Sequence, residues 1–322
     1  MATDYSICLG TAGWGVWHSP DAGISWVRHR APFPLNSRIQ ALAVHPTEAR
    51  TLFAGGDTGL FVSQDSGANW ERLTSPDALP TIWSLAIDPV DPNILFAGTR
   101  PAGAYRSRDG GRQWEKCSVE IASECSIGTP FVTSVMVDPD DHHTVWVGVE
   151  IDGVFRSRDG GETWTHVENG LYDPDIHALA LAGASSQRVW ASTARDLFTS
   201  IDMGETWTSL GIKQNWPLPY ARGIAVKADN PAVLFAGCGE TTTGENGYIL
   251  RTTDVGKTWD ILPLPVQPNA TIWGFATHPA DAERILAFSL FGDVYISEDG
   301  GESWRKIKRE FGEIRCIAWL PN

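Results

Sequence analysis

The chain has 322 residues, 42% hydrophobic and 20% charged, which excludes a disordered polypeptide and leaves room for one large domain or two average ones. A formal net charge of −14 excludes the basic footprint that a nucleic-acid partner requires, and equally disfavours an anionic membrane surface. The 15 Trp and 32 Gly, with few long apolar runs, describe many short strands joined by tight turns.

The opening MATDYSICLG has neither a basic n-region nor a long apolar core. With no signal or membrane-spanning segment in view, the expectation is a cytoplasmic chain, the alternative being a mature chain already trimmed of its signal. It runs at once into strand-like YSICLGTAGWGVWHS, and SPDAGISW follows at 19–26. Next come RIQALAVHP (38–46), ending in a His-Pro turn, and TLFAGGDTGLFVS (51–63), a hairpin broken by Gly. SQDSGANW (63–70) then repeats the earlier octapeptide, and its Trp opens a fourth short strand.

The same order recurs to the end. The octapeptides continue as SRDGGRQW (107–114), SRDGGETW (157–164), SIDMGETW (200–207), TTDVGKTW (252–259) and SEDGGESW (297–304). Their Asp residues fall at 21, 65, 109, 159, 202, 254 and 299, in steps of 44, 44, 50, 43, 52 and 45. A period in the forties filled with four strands, A to D, is that of a β-propeller blade. The N-terminus lacks an A strand, and GEIRCIAWLP (312–321) is an A strand without a blade. Joined, they make a seventh blade, so the fold class is all-β: one seven-bladed β-propeller domain over 1–322, closed by a blade shared between the termini.

The octapeptide resembles the Asp box of the sialidase-like (BNR) repeat families, and the resemblance covers the whole chain. It implies a turn between strands C and D of each blade, on the face opposite the usual ligand site. The residue chemistry agrees: Ser and Asp side chains bond local N–H groups, Gly takes an unusual backbone conformation, and Trp packs between sheets. Seven Asp spread round a ring cannot converge on one reaction, so the motif reads as scaffold.

Chemistry is therefore sought where blades differ. Aligned A strands leave one variable position near each strand's start, holding Gln40, Trp83, Thr133, His177, Arg222, Trp273 and Arg315. The B–C connections add Asp57, Arg100, Glu150, Arg195 and Glu240. Two loops are oversized, 117–131 and 238–247, and NWPLPYARG (215–223) brings Trp216 and Tyr220 towards Arg222. Arg222 and Arg315 offer forks for a carboxylate or phosphate, Trp83 and Trp273 stacking walls, and His177 with Glu150 proton transfer. Arg100, Gln40, Thr133 and Tyr220 complete the candidate ligand set. Against this stands the plain alternative that the aromatics pack, the arginines pair with Asp57 and Glu150, and His177 bonds a carbonyl.

His45 and His278 read as turn formers, with Asp88 and Asp138 in the matching places, and His142–His143 as solvated. The five cysteines lack CxxC spacing and read as reduced thiols, only Cys117 and Cys125 being close enough for a local bridge. Without a zinc spacing, phosphate loop or GxSxG elbow, no metal or cofactor is expected.

Three groups with Asp boxes bear on function. Sialidases imply six blades, an Arg triad and a Tyr nucleophile; this chain has seven blades, no Arg-Ile-Pro, and only Tyr220 beside Arg222. Xyloglucan-cleaving glycosidases imply two propellers with carboxylates in the cleft between them, of which this chain resembles half. Photosystem II assembly factors match in blade count and length and imply a binding scaffold with a basic patch, for which only Arg38, Arg100, Arg222 and Arg315 are on hand. The resulting expectation is a small-molecule pocket at the channel mouth for an anionic aromatic or sugar-like ligand, in a hydrolase or lyase. The alternative is a non-catalytic scaffold for a protein partner.

Overall fold

Seven four-stranded antiparallel sheets stand round a central channel in a computed structural model that describes residues 5–74, 79–124, 128–182 and 188–322. The A strands are Ile39–Val44, Thr81–Ile87, Val132–Val137, Ile176–Ala182, Tyr220–Lys227, Ile272–Ala276 and Ile314–Pro321. They are numbered here as blades 1 to 6 and the closing blade. That last A strand pairs with Tyr5–Thr11, Tyr5–Thr11 with Gly15–Ser19, and Gly15–Ser19 with Val27–Arg28. The ring thus closes through hydrogen bonds between the two ends of the chain, as expected, and hides two strand edges.

The B strands are the driest elements. Leu52–Gly56, Val145–Val149 and Ile285–Ser289 are buried at every position, because each faces a neighbouring blade on both sides. Hydrophobic clusters fill the wedges between blades; one joins Tyr5, Ile7 and Trp319 of the closing blade to Leu286 and Phe288 of blade 6. The D strands are two-residue pieces such as Glu71–Arg72, starting one residue after the box Trp, and they are exposed.

The octapeptide does what its chemistry requires. In blade 1 the Ser63 hydroxyl donates to Asp65 Oδ1 at 2.9 Å and accepts from Gly67 N–H at 2.9 Å. Asp65 Oδ1 also accepts from Asn69 N–H at 2.8 Å, and Trp70 Nε1 donates to Gly67 O at 3.0 Å. The residue before that Gly also takes positive φ, and in four boxes it is not glycine: Ala22, Ser66, Met203 and Val255 lie at φ 56 to 65. One box deviates. Trp207 Nε1 reaches across to Val167 O of the preceding blade at 3.0 Å.

The turn residues bear out their sequence reading: His45 Nδ1 accepts from Glu48 N–H at 3.0 Å, and His278 Nδ1 from Ala280 N–H at 3.1 Å. His142 corrects it. Rather than being merely solvated, it bonds the buried Asp88 at 2.9 Å and ties blade 3 to blade 2. Arginines on C strands make similar ties that the sequence did not suggest. Arg106 Nη2 bonds Glu162 at 2.8 Å and Arg156 Nη2 bonds Glu205 at 2.8 Å, each in the next blade's box. Arg251 reaches Glu302 in the same way at 2.6 Å.

Candidate functional site

Each A strand carries one irregularity near its start, and it falls in the same place every time. Ile39 pairs with Gly56 and Ala41 with Gly55, leaving Gln40 as an extra residue. Trp83, Thr133, His177 and Trp273 are extra residues by the same count against their B strands. Arg222 lies within the shift between Ala221 and Ile224, and Arg315 in that between Ile314 and Cys316. A β-bulge turns its side chain out of the regular alternation. Here seven bulges aim seven side chains at the channel axis, and all seven line one cavity of about 320 Å³.

Arg222 dominates that cavity. Its guanidinium lies 4.0 Å from the Trp273 ring centre and is buried, yet it makes no ion pair or side-chain hydrogen bond among the described residues. Its carbonyl is held by Ser192 Oγ at 2.7 Å, which fixes the backbone from which it projects. Arg315 lies 5.6 Å from the same ring centre, so one indole carries two guanidinium groups. Arg315 is partly spent, because it touches the Glu313 carboxylate, but its buried Nε has no partner. Burial lowers its pKa, Glu313 works against that, and Arg222 and Arg38 add to it.

His177 is a wall residue with a defined tautomer. Its Nδ1 lies 2.7 Å from Ala221 O, and a carbonyl only accepts, so Nδ1 carries the proton. Nε2 then accepts from Tyr220 Oη at 3.3 Å, and Thr242 Oγ1 donates to that Oη at 3.1 Å. Burial, reinforced by Arg222, lowers the His177 pKa against the pull of Asp175, so the ring is neutral at neutral pH.

Asp175 was absent from the sequence reading. Its Oδ2 stands 3.4 Å from His177 Nε2, while Oδ1 is buried without a partner. Burial opposes its ionisation, but His177 in its protonated form, with the Arg222 and Arg195 charges, holds its pKa below the ordinary value. Glu150 goes the other way: burial, then the Asp175 charge, push it up to about 7 against Arg222 and Arg100. Two acidic groups therefore sit in one electrostatic neighbourhood with opposite shifts.

The remaining candidates divide. Trp83 packs on Phe131 at 4.1 Å, and Arg100 lies 5.8 Å from the Trp83 ring centre. Thr133 donates to Ile176 O at 2.8 Å, a tie between blades 3 and 4. Gln40 faces the cavity with no side-chain bond among the described residues. Tyr220, Glu150 and Arg100 are not among the residues lining the cavity; Tyr220 stands behind His177. Asp57 accepts from Arg38 N–H at 2.9 Å, and Glu240 accepts from Glu245 N–H at 2.9 Å within its own loop. Trp216 packs away from Arg222, against Trp259 at 5.2 Å. Cys117 is a free thiol, and Cys125 lies outside the described residues. Among the described residues no three His, Cys, Asp or Glu side chains gather to hold a metal ion, and no helix is long and apolar enough to cross a membrane.

Comparison with known proteins agrees with this architecture. The BNR/Asp-box repeat family matches residues 155–166, the third strand end and box of blade 3. A probable oligoxyloglucan-reducing end-specific xyloglucanase from Neosartorya fischeri is 33% identical over 109 residues, 30% of this chain and 13% of the enzyme. The chain thus spans a small part of that curated relative's length. Among solved structures, the GH74 enzyme of Niastella koreensis superposes with a TM-score of 0.68 at 17% identity, covering 94% of this chain and 46% of that one. YCF48 bound to D1 peptide superposes with a TM-score of 0.61 at 16% identity, covering 85% and 82%. The chain is a seven-bladed β-propeller with BNR repeats that resembles both GH74 xyloglucanases and YCF48.

Proposed function

We propose that the channel mouth binds an anionic sugar-like or aromatic small molecule, and that the protein is a hydrolase or lyase acting on it. The observation that carries this reading is Arg222: a buried guanidinium, braced on Trp273, pointing at a cavity with no ion pair to neutralise it. Burying an unpaired charge is costly, and an anionic ligand would offset that cost. Arg222 and Arg315 hold the acid group, while Trp83 and Trp273 flank the ring. A carboxyl that stays protonated near neutrality beside one that ionises is the usual arrangement of an acid and its partner. Glu150 and Asp175 stand outside the cavity lining, so Glu150 is the proton donor, and Asp175 its ionised partner, for a ligand that extends beyond the cavity, with neutral His177 on the wall a base linked to Tyr220 and Thr242. The likeness to xyloglucan-acting enzymes supports hydrolysis of a glycosidic bond. The buried free thiols Cys8, Cys117 and Cys238 support a reducing cytoplasmic setting.

Calorimetric titration with glucuronate, benzoate, inorganic phosphate and a neutral xyloglucan oligosaccharide tests the binding. One of the acids is expected to bind, and Arg222→Gln to weaken it at least about tenfold, the loss of one charge-assisted hydrogen bond. Equal binding of the neutral sugar to both forms would sink the reading. For the chemistry, Glu150→Gln should abolish turnover of the matching glycoside and spare binding.

A second reading is favoured by the 82% coverage of YCF48, whose structure holds a peptide, against 46% of the GH74 chain. In it the protein is a non-catalytic scaffold for a protein partner. It predicts a stoichiometric partner in pull-downs that is lost on trimming 240–246.

A further inference from the structure

Ring closure builds a second site on the outer rim, away from the channel. The closing blade's outermost strand, Val27–Arg28, faces the segment that leads from blade 6 into Ile314–Pro321. Between them lies a cavity of about 610 Å³ walled by Trp14, Trp17, Trp26 and Phe311. Phe311 packs edge-on against Trp26 at 4.7 Å and Trp17 at 5.7 Å, which anchors the floor. Trp14 is 51% exposed and Val27 55%, so the lip is apolar and open. None of these residues lines the channel cavity.

Three arginines border this groove on a protein with 39 acidic and 25 basic residues. Arg28 lies 4.4 Å from the Trp14 ring centre and Arg309 4.2 Å from that of Trp17, while Arg30 is exposed. Arg28, Arg30 and Arg309 make no ion pair among the described residues, although Arg28 Nε donates to the Trp14 carbonyl at 2.9 Å. The one acidic residue at the groove, Glu310, is already engaged by Lys306 at 3.2 Å. The C-strand arginines Arg106, Arg156 and Arg251, by contrast, are spent on carboxylates of the next blade.

We propose that this groove docks an acidic peptide segment, its carboxylates on Arg28, Arg30 and Arg309 and an apolar side chain against Trp14 and Val27. Charge complementarity picks the occupant. The Arg309 guanidinium, stacked on Trp17, keeps its N–H fork free at the edge, which suits a carboxylate held bidentately, while Arg28, whose Nε is taken by the Trp14 carbonyl, offers its terminal N–H groups. The same stacking covers the Trp14 and Trp17 faces that a neutral sugar would need. A long polyanion would meet the acidic surface beyond the groove, whereas a short segment fits within it. The site lies beside an outermost strand with an unpaired edge, where an extended chain can lie.

Fluorescence anisotropy with a labelled short peptide alternating glutamate and leucine tests this, beside peptides with lysine or serine in place of glutamate. The glutamate peptide is expected to bind saturably and more weakly as salt rises. Its affinity should fall at least about tenfold in Arg30→Ala/Arg309→Ala, two exposed positions. Trp14→Ala should weaken it as well, and Arg222→Gln in the channel should leave it unchanged. Equal binding of the serine peptide, or no binding of the glutamate peptide, would overturn the proposal. So would loss of binding in Arg222→Gln alone, which would place the peptide in the channel. Sedimentation showing that the groove instead mediates self-association, abolished by the same double substitution, would replace the peptide with a second copy.

Discussion

The two faces of the ring treat their polar groups in opposite ways. On the Asp-box face the Asp of each motif has its bonds inside the turn; Asp159, for example, accepts from Ser157 at 2.7 Å and from Thr163 N–H at 2.9 Å. At the channel mouth Arg222, Gln40 and the Asp175 Oδ1 have no such partner. The first face repeats one side-chain set seven times, and the second repeats one backbone bulge and fills it with different side chains. Repetition of residues marks what holds the ring, and repetition of geometry with changing residues marks what the ring presents.

The largest effect should come from the scaffold. Trp319 is fully buried in the closing strand, packs edge-on against Tyr5 at 5.8 Å and is covered by Arg284. Trp319→Ala is expected to cost about 3–5 kcal/mol in chemical denaturation. A smaller loss would show that the ring closes without that contact.

Acid should separate the regions next. Burial holds His18 at about 4, with His29 adding to the effect, and also lowers His29 and His278. An unfolded chain binds these protons first, so stability should fall as pH drops from about 6.5 towards 4. The box carboxylates follow later: Asp159 and Asp254, held near 2 chiefly by Thr163 and Thr258, lose their contribution only between about 4 and 2. Glu150, raised to about 7, has the opposite sign and costs stability as pH rises from 4.5 through 7. A melting-temperature profile against pH checks the order. Removing Glu150 by Gln should flatten only the limb above pH 4.5.

Smaller effects sharpen the contrast residue by residue. Ser157→Ala should cost about 1 kcal/mol, because it strands the Gly161 N–H that Ser157 accepts at 2.8 Å. Arg222→Gln should change the melting temperature little, because it removes a buried cation without a direct ion pair but also the charge that helps keep Asp175 ionised. A clear drop would mean that Arg222 belongs with the scaffold.

Much of this was legible in the chain. Seven boxes at blade spacing dictated the blade count, and the unmatched strands at 5–19 and 312–321 dictated how the ring closes. The seven channel residues were found by alignment alone. Their bulges were not, because a bulge is a property of hydrogen bonding between strands. Asp175 escaped because it precedes its strand in DPDIH, outside the aligned positions. The links from Arg106 and Arg156 escaped because within one repeat they look like ordinary surface charges. The Trp14 groove could not be read from any repeat, since its walls come from residues 14–30 and 309–312.

The pairing of Tyr5–Thr11 with Ile314–Pro321 also imposes a schedule on the ribosome. The first strand emerges almost the whole chain ahead of its neighbour, and until then one of its edges stays bare. Arg315 travels on that late strand, and Phe311 lies just before it. Both the channel mouth and the rim groove are therefore completed only when this strand pairs and the circle locks.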